Sequence, residues 1–154
     1  MPKNNQSILT GNAGEFYVAA ELSRKGYNTA ILLGNTELYD ILTVNSQNQK
    51  QILIQVKTTW NFRGGRKWVL NKKVEDIIDE NLFYIFVNLF SEDKRPEFFI
   101  IHSAELANMI KKGHEEWLRT PGKKGQKHNP NSIRQFSDKE GIYLEKWDKL
   151  HEHK

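Results

Sequence analysis

The chain has 154 residues, no cysteine and a formal net charge of +4, with a pI near 9.2. That length suits one domain with a genuine core and leaves no room for two comfortable ones. The missing cysteines exclude thiolate metal sites, no apolar run reaches the roughly 18 residues of a membrane span, and without a signal peptide or lipidation motif a cytoplasmic location is the default.

The first predicted element is a helix over 13–25, with Asn12 as its N-cap and Gly26 as its stop. Positions 15, 18, 19 and 22 share one face, so Glu15 lies with Val18, Ala19 and Leu22 on the buried stripe. Glu21 faces solvent, spaced to pair with Lys25. Glu15 has two readings. Asn12-Ala13-Gly14-Glu15 has the spacing of a capping box. An acid on an apolar stripe also marks a site when other ionisable groups join it.

Two strands follow. In 38–44, Asp40 falls in phase with the apolar set Leu38, Leu42 and Val44, so a carboxylate stands where a core residue is expected. The stretch 51–58 is rich in β-branched residues and too short for a typical helix. Its Ile52, Ile54 and Val56 make a core face, and Leu53, Gln55 and Lys57 point the other way. The polar connection 45–50 is of hairpin length, which makes the strands antiparallel neighbours. Its midpoint pairs residues whose numbers sum to 95, placing Asp40 opposite Gln55 on one face; a one-residue slip would undo this.

A basic hairpin is expected over about 58–70, where Trp60-Asn61-Phe62-Arg63-Gly64-Gly65-Arg66-Lys67-Trp68 mixes aromatic and basic residues around a glycine turn. It is either a phosphate-contacting tip or a solvated hairpin with Trp60 and Trp68 packed across strands. Beyond it, 82–87 is a fully apolar run suited to a buried central strand, and 97–101 is another strand. Ser103 then caps a helix over 104–112 that Gly113 ends, and 114–118 adds a short turn. A basic loop over about 119–134 carries Lys123, Lys124, Lys127 and Arg134 with no acid among them. A last helix over 143–150 turns Trp147 and Leu150 inward. Neither basic stretch contains an acidic residue, so both are candidate surfaces for a nucleic-acid backbone: Arg63, Arg66 and Lys67 in the first, Lys123, Lys124, Lys127 and Arg134 in the second. The five histidines show no zinc spacing and favour surface or cap roles. No serine triad motif or phosphate-binding glycine loop is present.

Gly14-Glu15, Leu38-Tyr39-Asp40-Ile41 and Ile54-Gln55-Val56-Lys57-Thr58 together resemble the PD-(D/E)xK nuclease superfamily, in a Gln-x-Lys variant similar to Holliday-junction resolvases and intron-encoded homing endonucleases. Residues 10–60 carry the resemblance well, and later elements more loosely. Tyr39 stands where the superfamily has proline, a backbone preference without chemical role. Gln55 stands where it has Asp or Glu, which removes one negative charge. The resemblance implies a single restriction-endonuclease-like domain over 1–154, an α/β three-layer sandwich with a central mixed sheet flanked by helices. It also implies a metal-dependent DNA endonuclease in which the Val56 carbonyl joins the ligands.

The chemistry can be stated independently. Hydrolysing a phosphodiester calls for a hard cation that neutralises phosphate charge and acidifies the attacking water. Mg²⁺, with Mn²⁺ as substitute, needs only one or two carboxylates, so Glu15 and Asp40 with the Gln55 amide oxygen suffice. Lys57, one pleat beyond Gln55, would stabilise developing negative charge; its plainer reading is a strand-end lysine reaching solvent. The rival function is a binding or protein-interaction module on the same fold, with the metal site weakened by Gln55. Cutting both strands of a duplex with one small active site suggests a homodimer.

Overall fold

The computed structural model describes residues 3–32, 38–60, 65–91 and 93–152. Arg63 and the tip of the expected hairpin lie outside them. The elements in chain order are α1 (Lys3–Arg24), β1 (Tyr27–Ile31), β2 (Ile41–Asn45), β3 (Gln51–Trp60), β4 (Lys67–Asn71), a 3₁₀ turn (Lys72–Glu75), β5 (Leu82–Leu89), β6 (Glu97–His102), α2 (Ser103–Arg119), β7 (Ile133–Ser137) and α3 (Lys149–Glu152).

Five strands form one sheet in the order β1-β2-β3-β5-β6, and β4 pairs with β7 in a second, two-stranded sheet. Only β3 and β5 run parallel; the other pairs are antiparallel. All eight residues of β5 are buried, as a strand covered on both faces requires. One face packs Ile52, Ile54, Val56, Phe83 and Ile85 against Val18 and Leu22 of α1, with Trp147 and Leu150 completing that layer. The other packs Tyr84, Phe86, Phe99 and Ile101 against Leu106 and Ile110 of α2 and against Trp68, Leu70 and Phe136 of the small sheet. Each fully buried Ile or Phe contributes about 1.5–3 kcal/mol. The three layers and the mixed central sheet are those expected from the sequence.

Several expectations need correction. The 58–70 segment is not a hairpin, because β4 leaves β3 and pairs with β7. The cause is Trp68. Its indole packs against Phe86, Phe99 and Phe136 and donates to the Val87 carbonyl at 3.1 Å, a deeper burial than a cross-strand contact with Trp60 would give. Gly113 does not end α2, which runs on to Arg119. A glycine stop needs positive φ, and of the described glycines Gly26, Gly125 and Gly141 have it. His102, not Ser103, is the N-cap. The final helix is confined to Lys149–Glu152. Before it, Ile100 N–H donates to the Tyr143 carbonyl and Glu145 N–H to that of Phe98. Segment 143–145 thus covers the open edge of β6, where satisfying backbone groups outweighs the helical period. Glu21 is mostly buried and pairs with Arg24 and Arg95, not Lys25. β1 and β7 had no counterpart in the sequence reading, and β4 stands where the second arm of the expected hairpin was placed. No helix among the described residues is long and apolar enough to cross a membrane.

Gly14 decides how closely α1 approaches the sheet. A Cβ placed there would collide with the Thr58 side chain, hydroxyl first, so any side chain forces helix and strand apart. Gly14→Ala is therefore expected to destabilise the fold by about 1–3 kcal/mol, the range for overpacking. Adding Thr58→Ala should recover most of that loss, since it removes the clashing hydroxyl and methyl. Urea denaturation of the two variants checks this; an unchanged midpoint in Gly14→Ala would contradict the close packing.

Candidate active site

The register of β2 on β3 is the one read from the turn. Ile41 pairs with Ile54, Leu42 with Leu53, Thr43 with Ile52 and Val44 with Gln51. Asp40 lies just before the first of these pairs, and its carboxylate meets the Gln55 side chain. One detail of phase differs: the buried side of β2 is Ile41, Thr43 and Asn45, while Leu42 and Val44 are half-exposed. Asp40 shares the half-covered face with Gln55, so it sits at the rim of the core and not within it.

Backbone bonds hold Asp40 from both sides. Its N–H donates to the Ile54 carbonyl at 2.8 Å, and its carbonyl accepts from Leu32 N–H at 2.9 Å. Beyond this point β2 and β3 part, and the carboxylate takes the next strand donor: Val56 N–H reaches Asp40 Oδ2 at 2.7 Å. The Gln55 Nε2 donates to the same oxygen at 2.5 Å. Gln55 is itself 8% exposed, which makes its amide a fixed part of the arrangement.

Glu15 reaches the group from α1. The helix begins at Lys3, so Asn12-Ala13-Gly14-Glu15 lies in its middle and caps nothing, which removes the capping-box reading. Burial pushes the Glu15 carboxyl above its ordinary range, the charge of Asp40 pushes it further, and Lys57 opposes both. Asp40 is also raised by burial, against the Val56 N–H bond and the Lys57 charge. Burial, with the Asp40 charge behind it, drives the Tyr84 hydroxyl up to about 12. Glu15, Asp40 and Lys57 therefore share one electrostatic neighbourhood, with Tyr84 beside it as the β5 partner of Gln55.

This neighbourhood holds two desolvated carboxylates and one lysine, leaving negative charge that a cation would relieve. The available donors are oxygens: two carboxylates, an amide and a strand carbonyl. Among the described residues no group of three His, Cys, Asp or Glu side chains could hold a metal. The donors that the site does offer are oxygens, the kind that a hard ion content with two carboxylates takes.

The basic residues separate into two kinds. Lys67, Lys123, Lys124 and Lys127 are exposed. Arg66 instead forms a two-pronged contact with Glu97, at 3.2 and 2.8 Å. Arg134 is 5% exposed, held by Glu75 and by the carbonyls of Asn131 and Ile133. Both arginines brace the fold. Loop charge alone gave no sign of this, because their partners Glu75 and Glu97 lie far off in sequence. The basic loop is also ordered: Gly122 N–H bonds the Gln126 carbonyl, and His128 stacks on Trp117 with centroids 4.0 Å apart. Sequence reasoning missed the part Gly14 plays in setting α1 and the place of Tyr84 beside the site. A single glycine inside a helix carries no periodic signal of its own, and Tyr84 was hidden in a uniformly apolar run.

No protein-family model matches the chain, and no curated protein matches it in sequence. Among solved structures it is similar to the bacterial homing endonuclease I-Ssp6803I, with 14% identity, 96% of this chain and 93% of that one covered, and a TM-score of 0.53. Hjc, a Holliday junction resolvase from Archaeoglobus fulgidus, matches at 15% identity over 86% of this chain and 91% of that one, with a TM-score of 0.46. The mixed five-stranded sheet between helical layers, aligned over nearly its whole length with the homing endonuclease, identifies the architecture as the restriction-endonuclease-like nuclease fold.

Proposed function

We propose that this chain is a metal-dependent endonuclease that hydrolyses phosphodiester bonds in DNA. The observation that carries the reading is the Asp40–Gln55 side-chain contact at 2.5 Å, with the Asp40 charge acting on Glu15 and Lys57 acting on both carboxylates. Glu15, Asp40, the Gln55 amide oxygen and the Val56 carbonyl would hold Mg²⁺, with Mn²⁺ as substitute. When bound, that ion supplies charge neutralisation at the phosphate and a more acidic water. Val56 N–H and Gln55 fix the Asp40 carboxylate in place, so little reorganisation is left for the reaction. Lys57 projects from the same strand face and stabilises negative charge developing on the phosphoryl oxygens. The exposed lysines Lys67, Lys123, Lys124 and Lys127 supply backbone attraction, together with Arg63.

The test is incubation of the purified protein with linear, nicked, branched and single-stranded DNA in Mg²⁺ or Mn²⁺. Cleavage of at least one form is expected, and light scattering on the same preparation reads whether the species is the homodimer that double-strand cutting favours. Absence of cleavage on every form would overturn the reading.

A second reading is favoured by one observation. Gln55 and Val56 already give Asp40 Oδ2 two donors, so a binding module could keep this geometry without metal. Calorimetric titration with Mn²⁺ separates the two, since the module releases no binding heat.

A further inference from the structure

Resting on the nuclease reading, we propose that a cavity beside the carboxyl ends of β3 and β5 is a second phosphate-binding site, which holds the DNA backbone away from the cut. It has a volume of about 610 Å³ and is lined by Arg66, Lys67, Phe90, Lys94, Glu97 and Lys139, among others.

The charge balance of the cavity favours an anion. Glu97 is the acid among its described lining residues, and Arg66 grips it with two nitrogens while Asn88 Nδ2 donates to it at 3.0 Å. Its carboxyl is accordingly held below its ordinary value, the hydrogen bonds and nearby cations outweighing burial. Nearby Asp138 accepts from the N–H groups of Ile142 and Tyr143, and its charge, like that of Glu97, acts on Arg66. Three lysines remain. Among the described residues, Lys67, Lys94 and Lys139 form no salt bridge, and Lys94 is one of the cations whose charge lowers Glu97. Lys94 lies over the Phe90 ring, 3.7 Å from its centroid, which gives the cavity a flat wall with a cation on it.

Position links the cavity to the candidate active site. Lys57 pairs with Phe86 and Thr59 with Asn88 in the β3–β5 register, so Gln55, Lys57, Thr59 and Asn88 share one sheet face. Asn88 bonds Glu97, which anchors Arg66 at the cavity wall. Thr59 and the buried Asn88 thus lie on one sheet face between Lys57 and the Arg66–Glu97 pair. Phe90 lies four residues beyond the level of Lys57, roughly 13 Å at the rise of a strand. That is about four base steps along a duplex axis. A strand cut beside Lys57 would carry a later phosphate to this cavity.

The experiment measures duplex binding in EDTA at several salt concentrations, using Asp40→Asn as the parent so that no metal chemistry enters. It compares the parent with a variant adding Lys67→Ala, Lys94→Ala and Lys139→Ala. Each phosphate contact contributes about 0.9 to the slope of log K against log salt, so the triple variant should lose about 1–2 from that slope and bind about tenfold more weakly at low salt. Coincident slopes, or a parent that does not bind DNA, overturn the proposal. So does an equal loss in a control variant carrying Lys111→Ala and Lys112→Ala, because net charge would then explain it. Inorganic phosphate is a separate arm: phosphate that binds the parent without changing its DNA slope assigns the cavity to free phosphate and also overturns the proposal. Cleavage plays no part in these readouts. A slope change in a protein that never cuts leaves the second site standing and the nuclease reading fallen.

Discussion

Asp40→Asn is expected to abolish divalent-ion binding and to lower DNA cleavage by about 10³-fold or more, while leaving the fold at least as stable as the parent. The size follows from what is lost at once: a ligand charge on the ion and the fixed acceptor around which Gln55 and Val56 are arranged. The stability expectation follows from the direction of two titrations. Burial raises the Asp40 carboxyl above its ordinary 3.8, and burial with Asp40 raises Glu15 above its ordinary 4.5. Between those ordinary values and the raised ones, the folded chain holds more protons than the unfolded chain. Stability therefore falls as pH climbs through that window, and above it the ionised site opposes folding. An amide at position 40 keeps an oxygen for the Val56 N–H and carries no charge. Melting temperatures from pH 4 to pH 8, with and without Mg²⁺, read all of this. The parent should lose stability with rising pH and regain it with the ion by mass action; the Asn variant should show a smaller pH loss and no rescue. Parental Mn²⁺ affinity in the variant would sink the metal assignment.

The parts of the fold legible in the sequence are those that short-range rules determine. A six-residue polar turn fixes its own hairpin register, so the pairing of Ile41 with Ile54 follows from the sequence, and the Asp40 and Gln55 side chains meet just beyond it. Helix and strand periods placed Val18, Leu22, Ile52 and Ile54 in the core, where they are fully buried. What stayed hidden depends on partners distant in sequence. Trp68 looked like half of a cross-strand pair with Trp60 because its true neighbours, Phe99 and Phe136, lie 31 and 68 positions away. Segment 143–145 reads as helix until the unpaired edge of β6 is placed beside it. Arg134 looked like a loop cation until Glu75 was brought against it. For the site the same divide holds. Alternation places Gln55 and Lys57 on one face of β3, whereas Asp40 precedes β2 on the half-exposed side and not on the core side its phase suggested, and Glu15 had two readings until the start of α1 at Lys3 left no helix end for it to cap.

Lys57→Met is expected to separate binding from cutting, lowering cleavage by about 10²–10³-fold while Mn²⁺ binds as tightly as in the parent or more tightly. The reasoning starts from the half-buried strand position of Lys57, where its charge acts on both carboxylates and lowers each of them. An ammonium in that place repels a divalent ion, so an apolar side chain of similar size removes repulsion from the metal and leaves the ligand oxygens untouched. It also removes the lysine charge that offsets Glu15 and Asp40, so both carboxyls should rise further and the pH window over which the metal-free protein loses stability should extend upward, with a larger total loss. The step that suffers is the one in which negative charge grows on the phosphoryl group, since a donor fixed in a partly desolvated site is worth roughly 3–4 kcal/mol there. Single-turnover cleavage beside calorimetric Mn²⁺ titration provides the two readouts, and together with Asp40→Asn they form a pair with opposite signatures: one variant loses ion and cleavage, the other cleavage alone. Unchanged cleavage in Lys57→Met would return this residue to the plainer role of a strand-end lysine reaching for solvent, and parallel loss of ion and cleavage would make it a structural support of the carboxylates.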